Sequence, residues 1–251
     1  LQHEDGHSLI LSNLIPNCVS YDPTFQYEVA VVVQDGMRRM FAEQEDVFYY
    51  ITVMNENYTH PAMPAGVESD ILKGMYLLAE GKGGKKAPRV QLMGSGTILR
   101  EVIAAAELLD QDFGVASDVW SCPSFTELRR DGMEAARWNL LHPEAAPRVP
   151  HIAKCLDKRV GPAVVATDYM RIFAEQVRPY VDRRYTVLGT DGFGRSDTRE
   201  QLRRFFEVNR FYVVVAALKA LADEGTIPAV TVTQAIRKYQ IDPEKAAPWR
   251  V

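Results

Sequence analysis

The chain has 251 residues, 47% of them hydrophobic and 25% charged, which excludes a disordered or collagen-like protein and leaves room for one large or two smaller cores. Twenty-nine lysines and arginines against 33 aspartates and glutamates give a net charge of −4, and with no long block of either sign there is no electrostatic case for a nucleic-acid surface. The longest apolar run, Tyr212 to Leu218, is far shorter than the roughly 20 residues of a membrane span, so a soluble chain with no membrane partner is expected. The polar cluster Gln2-His3-Glu4-Asp5-Gly6-His7-Ser8 follows Leu1 rather than an initiator methionine, and a cut from a longer chain is expected. A short apolar segment, Leu9 to Leu14, then stops at Ile15-Pro16-Asn17, and Cys18 to Tyr21 reads as a strand. Val29, Val32, Val33, Met37, Met40 and Phe41 predict an amphipathic helix over Phe25–Phe41, and Val47–Val53 reads as a buried strand. Residues 55–64 are polar and punctuated by Pro61 and Pro64, which reads as a linker and places a domain boundary near residue 63.

Beyond that boundary the pattern alternates. Strands are predicted at Met75–Ala79, Val90–Met93, Val115–Ser121, Ala163–Thr167 and Tyr185–Leu188, and helices at Ile98–Leu109, Phe125–Leu141 and Tyr169–Val181. The glycine- and lysine-rich stretch 81–86 reads as an exposed, mobile loop. Three further helices, Asp197–Glu207 (N-capped by Ser196), Phe211–Glu224 and Thr231–Tyr239, close the chain. Such an order implies an α/β domain with a doubly wound, mostly parallel sheet, in which edge strands can run antiparallel.

Few residues carry an obvious chemistry. Gly94-Ser95-Gly96 follows a strand as a dinucleotide turn would, but position 99 is Leu99 and the next strand ends in Trp120-Ser121-Cys122 instead of an acid, so a structural turn is expected. Thr190 to Asp197 sits at the carboxyl edge of the sheet, where Arg195 can pair with a carboxylate or an anion; a turn before a capped helix is the preferred reading. Cys18, Cys122 and Cys155 form no CxxC or Cys/His cluster, which argues against disulfides or structural zinc and fits a cytoplasmic setting. Without a histidine at a recognised motif spacing, Cys122 and Cys155 are expected as buried small hydrophobes. His60, His142 and His151 lie near prolines and read as ordinary surface residues in loops. His3 and His7 differ, because two imidazoles and two carboxylates fall within five residues around Gly6. That group leaves catalysis, metal binding through the HxxxH spacing, and a solvated loop all open.

A set of ordered motifs narrows the choice. Leu1-Gln2-His3-Glu4-Asp5-Gly6-His7-Ser8, Ile15-Pro16-Asn17, Ser20-Tyr21-Asp22-Pro23, Tyr27-Glu28-Val29, Asn55-Glu56-Asn57-Tyr58, Leu92-Met93-Gly94-Ser95-Gly96, Ser124-Phe125-Thr126-Glu127-Leu128 and the stretch Leu188 to Asp197 together resemble the carboxyl-terminal part of the homodimeric, bacterial-type pyruvate dehydrogenase E1 family. That family is one of the transketolase-like thiamine diphosphate enzymes. The resemblance implies that residues 1–62 are the tail of a pyrimidine-binding domain and 63–251 a transketolase carboxyl-terminal-like α/β domain. It implies oxidative decarboxylation of pyruvate, reductive acetylation of the lipoyl group of an E2 acyltransferase, and a homodimer. Thiamine diphosphate and Mg2+ would be bound mainly by residues upstream of Leu1, since Asp191-Gly192-Phe193-Gly194 lacks the asparagine of a diphosphate motif. The segment alone is therefore expected to be inactive. His3 becomes the expected catalytic proton donor or carboxylate binder, and His7 the second, substrate-binding candidate. A stand-alone assembly module and an E1 for another 2-oxo acid remain as alternatives.

Overall fold

The computed structural model describes residues 5–84 and 87–251. Helix α1 (Ser8–Ser12) leads to strand β1 (Cys18–Tyr21), helix α2 (Gln26–Met37) and strand β2 (Phe48–Ile51). A wider, π-type turn over Arg38–Ala42 extends α2, so the helical path reaches Phe41 as its spacing predicts. β1 and β2 pair in parallel as a two-stranded sheet, from Cys18 opposite Phe48 to Tyr21 opposite Ile51. β2 is not buried as expected: with β1 as its only strand neighbour among the described residues, Phe48 is 41% exposed. The short helix α3 (Glu68–Leu72) precedes a second sheet and was not anticipated, since five residues are too few to show a period.

The second sheet contains β3 (Tyr76–Ala79), β4 (Arg89–Gly94), β5 (Ala116–Ser121), β6 (Ala163–Ala166) and β7 (Tyr185–Leu188) in the order β3-β5-β4-β6-β7. Only the edge strand β3 runs antiparallel. The sheet is intercalated by α4 (Leu99–Phe113), α5 (Phe125–Leu141), α6 (His151–Leu156) and α7 (Ile172–Glu175), and followed by α8 (Arg199–Phe205), α9 (Arg210–Asp223) and α10 (Ala229–Lys238).

Both faces of this sheet are covered because its central strands are apolar on both sides. Leu92 and Val164 enter one core with Leu99 and Val102 of α4 and Val214 and Leu218 of α9. Their chain neighbours Met93 and Val165 enter a second core with Phe125 and Leu128 of α5, Ile152 of α6 and Phe173 of α7. Alternation of side chains along each strand makes one sequence serve two cores. α4 stops at Gly114, whose φ of 62° gives the left-handed cap. Gly132 on α5 leaves room for the Tyr180 ring, which a Cβ would strike.

Three sequence expectations change here. The helix predicted over 169–181 is broken into α7 and a 3-10 turn over Arg178–Tyr180, because Pro179 has no N–H to continue an α-helix and restricts the residue before it. α8 is capped by Thr198 rather than Ser196, the Thr198 hydroxyl accepting from the Gln201 N–H at 3.3 Å. His151 starts α6 and is buried, its Nε2 2.8 Å from the Met75 carbonyl, instead of standing in a surface loop. This also brings it to Cys155, one turn on, with Sγ 3.5 Å from Nε2. Burial pushes the Cys155 thiol up to about 11, so it remains a protonated packing group. His60 and His142 are likewise engaged: His60 Nδ1 accepts from the Gln26 N–H at 3.1 Å, and His142 stacks on Trp138 at 4.5 Å.

Candidate functional site

The winding of the five-stranded sheet singles out one place. β4 continues through α4 to β5 on one side, whereas β6 continues to β7 on the other. The carboxyl ends of the neighbours β4 and β6 therefore flank the reversal point, where open α/β sheets form their ligand crevice. Ser95 follows β4 and Thr167 follows β6, and their hydroxyl oxygens are 3.3 Å apart. Asp22, the residue after β1, enters this point from the other sheet. Its carboxylate accepts from the Ser95 hydroxyl and from the Thr52 hydroxyl, both at 2.7 Å, and its carbonyl accepts from the Gly96 N–H at 3.0 Å. Strand ends from both sheets thus meet on one buried acid.

Asp22 also decides what Gly94-Ser95-Gly96 does. Gly96 has a φ of 49°, and a Cβ there would lie 2.5 Å from the Asp22 carboxylate. The turn is a receptor for a carboxylate of the chain itself, and a pyrophosphate brought to the same point would meet that negative charge.

Around this junction lies a cleft in two adjoining recesses that share Asp5, Asp168, Arg199 and Arg203. One, of about 380 Å³, is lined by His7, Thr190 and Arg195 as well; the other, of about 630 Å³, by Asp22, Thr52 and Glu56. Asp5 shapes the entrance: its carboxylate accepts from the N–H groups of His7 at 3.1 Å and Ser8 at 2.9 Å and from the hydroxyl of Ser8, the residue that starts α1. His7 is exposed and faces the smaller recess. His3 lies outside the described residues.

The cleft walls carry charges of both signs. Burial pushes the Asp22 carboxyl up to about 6, against the hydrogen bonds from Thr52 and Ser95 that favour its charged form. Asp168 is exposed at the cleft, and partial desolvation, followed by the Asp22 charge, raises its pKa from the ordinary carboxylate value. Arginines oppose these acids. Arg203, 14% exposed, donates to the Thr97 hydroxyl at 2.8 Å and pairs with Glu101 at 3.4 Å and Glu56 at 3.5 Å. Arg199 donates to the Asn55 side-chain oxygen at 2.7 Å. Arg195 stacks over Phe205, 5.0 Å from the ring centroid.

The linker-like passage is anchored into the same wall. Arg100 pairs with Glu56 at 2.8 Å, its hydrogen bond being the main cause that lowers the Glu56 pKa, and lies 4.3 Å over the Tyr58 ring. Among the described residues no group of three or more His, Cys, Asp and Glu side chains is arranged to hold a metal ion. The cleft thus sets three arginines beside four carboxyl groups, and burial raises the pKa of two of those acids, Asp22 and Asp168.

Sequence reading brought His7 and the Thr190–Asp197 stretch to attention, and the structure joins them in one recess. It passed over Asp22, Asp168, Arg203 and Glu56. An acid immediately after a strand, as at Asp22, or one residue further on, as at Asp168, is the signal that finds the first two.

Comparison with known proteins gives two family matches. Residues 1–61 match the pyruvate dehydrogenase E1 component middle domain, and residues 74–209, more than half of the chain, match the transketolase-like carboxyl-terminal domain. The chain is similar to the curated pyruvate dehydrogenase E1 component of Cupriavidus necator, 66% identical over 251 residues, all of this chain and 28% of that protein. The corresponding proteins of Pseudomonas aeruginosa and Escherichia coli K12 are 60% and 58% identical over 99% of the chain. The chain thus spans 28% of the length of these relatives. Among solved structures, a transketolase from Pichia stipitis superposes with a TM-score of 0.60 at 16% identity, covering 89% of this chain and 28% of that one. A transketolase from Leishmania mexicana gives 0.59 at 15% over 88% of this chain and 28% of that one. At such identities these two likenesses concern the fold.

Proposed function

The chain belongs to the transketolase-like carboxyl-terminal domain family, and from that premise we propose that it is the carboxyl-terminal part of a cytoplasmic pyruvate dehydrogenase E1 component. The observation that carries the proposal is the 66% identity to an E1 component along all 251 residues. In this reading the full-length homodimer decarboxylates pyruvate oxidatively and acetylates the lipoyl group of E2. Residues 1–62 are the tail of the pyrimidine-binding domain and 63–251 the third domain. Support for that division comes from the separate two-stranded and five-stranded sheets and from the lack of helix or strand over 52–67.

Thiamine diphosphate supplies the carbanion chemistry of such enzymes. The described residues do not themselves fit its diphosphate and Mg2+: the glycine turn after β4 is filled by Asp22, and no metal-type cluster stands among them. In this reading the cofactor is bound mainly by residues upstream of this segment, and the segment alone is inactive. This chain contributes a wall. His3 donates a proton to the reacting substrate or binds its carboxylate, and His7 helps bind pyruvate. Arg195, Arg199 and Arg203 draw an anion toward the cleft, and Asp22, its carboxyl raised to about 6, can exchange a proton behind it.

Steady-state assay of the full-length protein with thiamine diphosphate, Mg2+, 2-oxo acids and a lipoylated E2 domain tests the reading. Preference for pyruvate with reductive acetylation supports it. Preference for a larger 2-oxo acid would reassign the substrate, and absence of turnover on every 2-oxo acid would overturn it.

A further inference from the structure

One wall of the smaller recess is formed by Thr190, Gly192, Gly194 and Arg195, in a stretch without helix or strand, and something must fix its position. From inside, it is tied to the loop after β6. The Thr190 N–H donates to the Tyr169 carbonyl and its hydroxyl to the Asp168 carbonyl, both at 2.9 Å. Gly189 permits this approach, since a Cβ there would lie 2.6 Å from the Tyr169 carbonyl oxygen. The Asp191 carboxylate accepts from the Arg171 N–H at 3.1 Å, and the Arg171 guanidinium is 3.4 Å from the same oxygen.

From outside, a distant part of the sequence closes on the same loop. The 3-10 turn Pro248–Arg250 places Trp249 under Arg171, with the guanidinium carbon 4.4 Å from the ring centroid. Pro248 is buried, and its carbonyl lies so close to Gly192 that a Cβ would stand 2.7 Å from the oxygen. Gly192 has a φ of 117°, a conformation open to glycine and strained for other residues. Arg171 is thus held between Asp191, which lies between the lining residues Thr190 and Gly192, and Trp249, and Gly192 is matched to the Pro248 carbonyl.

We infer that the turn Pro248–Arg250 is a clasp for the cleft: Trp249, acting through Arg171, and the Pro248 carbonyl against Gly192 set the position of residues 190–195 and of Arg195 at the cleft mouth. Arg171 and Trp249 are positioning residues. The effect on substrate rests on the pyruvate reading above; the effect on the loop does not.

Hydrogen–deuterium exchange of the full-length protein, followed by mass spectrometry of peptides covering 169–173 and 189–195, tests the clasp. Trp249→Ala should speed exchange of the Arg171 and Thr190 amides about fivefold, the factor for losing a cation–π contact. Trp249→Phe should restore protection, Gly192→Ala should mimic the loss, and Arg250→Ala should leave both peptides unchanged. In turnover, Trp249→Ala should raise the KM for pyruvate several-fold with kcat within about twofold, as for lost binding. Unchanged exchange in both Trp249→Ala and Gly192→Ala overturns the clasp, as does a rise spread evenly over the whole protein. Faster local exchange with an unaltered KM overturns its role toward the cleft. If the wild-type protein ignores pyruvate, the exchange result still decides the clasp.

Discussion

Replacing Asp22 by asparagine separates the cost of a buried charge from the value of its hydrogen bonds. In the folded protein burial lifts this carboxyl from 3.8 to about 6. The folded state therefore binds the proton more tightly than the unfolded chain. The stabilisation from that proton is fully present below about pH 3.8 and is lost as pH rises through about 6. At about 1.4 kcal/mol per pKa unit, the shift amounts to about 3 kcal/mol. The side chain introduced by D22N would be neutral at every pH, and an amide can accept from one of the Ser95 and Thr52 hydroxyls and donate to the other. The variant should thus exceed the wild type in stability by up to about 3 kcal/mol at pH 7, with the advantage vanishing near pH 4. Urea unfolding midpoints at intervals from pH 4 to 8 measure this directly. A variant less stable than the wild type at pH 7, or a difference that does not change with pH, would refute the reasoning.

Glu28→Ala removes the acceptor shared by the Thr24 and Phe25 N–H groups and the Tyr76 and Ser121 hydroxyls. It should cost at least about 2 kcal/mol in denaturant unfolding, because buried donors lose their shared carboxylate. Gly132→Ala should destabilise by about 1–3 kcal/mol through collision with Tyr180, against alanine's better helix propensity. Combining it with Tyr180→Ala should remove the clash, visible as non-additivity in a double-mutant cycle.

The fold was legible where periodicity was strong. α5 spans Phe125–Leu141 and β7 spans Tyr185–Leu188, the ranges read from the sequence, because long amphipathic spacing and short apolar runs between turns are local signals. Legibility failed where a few residues or a proline decided the outcome, as in α3, α6 and the broken helix around Pro179. The site was harder to read than the fold. His7 stands out by composition, but Asp22 acquires its role only when β1 and β4 end side by side, 73 residues apart at the Ser95 contact. Glu56 and Arg203 likewise meet only in three dimensions. The same holds for Trp249, which touches Arg171 across a long stretch of sequence.

Whether this chain lends its amino-terminal histidines to an E1 reaction is tested most directly by lipoyl acetylation. The full-length protein would be assayed with pyruvate, thiamine diphosphate, Mg2+ and a lipoylated E2 domain as wild type, His3→Ala and His7→Ala. His3→Ala should lower turnover by about 10²- to 10⁴-fold, the range for loss of a positioned acid or base, and should change stability by less than about 1 kcal/mol. Near-normal turnover in His3→Ala with loss in His7→Ala would move the role to His7. Near-normal turnover in both variants would contradict the catalytic role of the amino-terminal histidines.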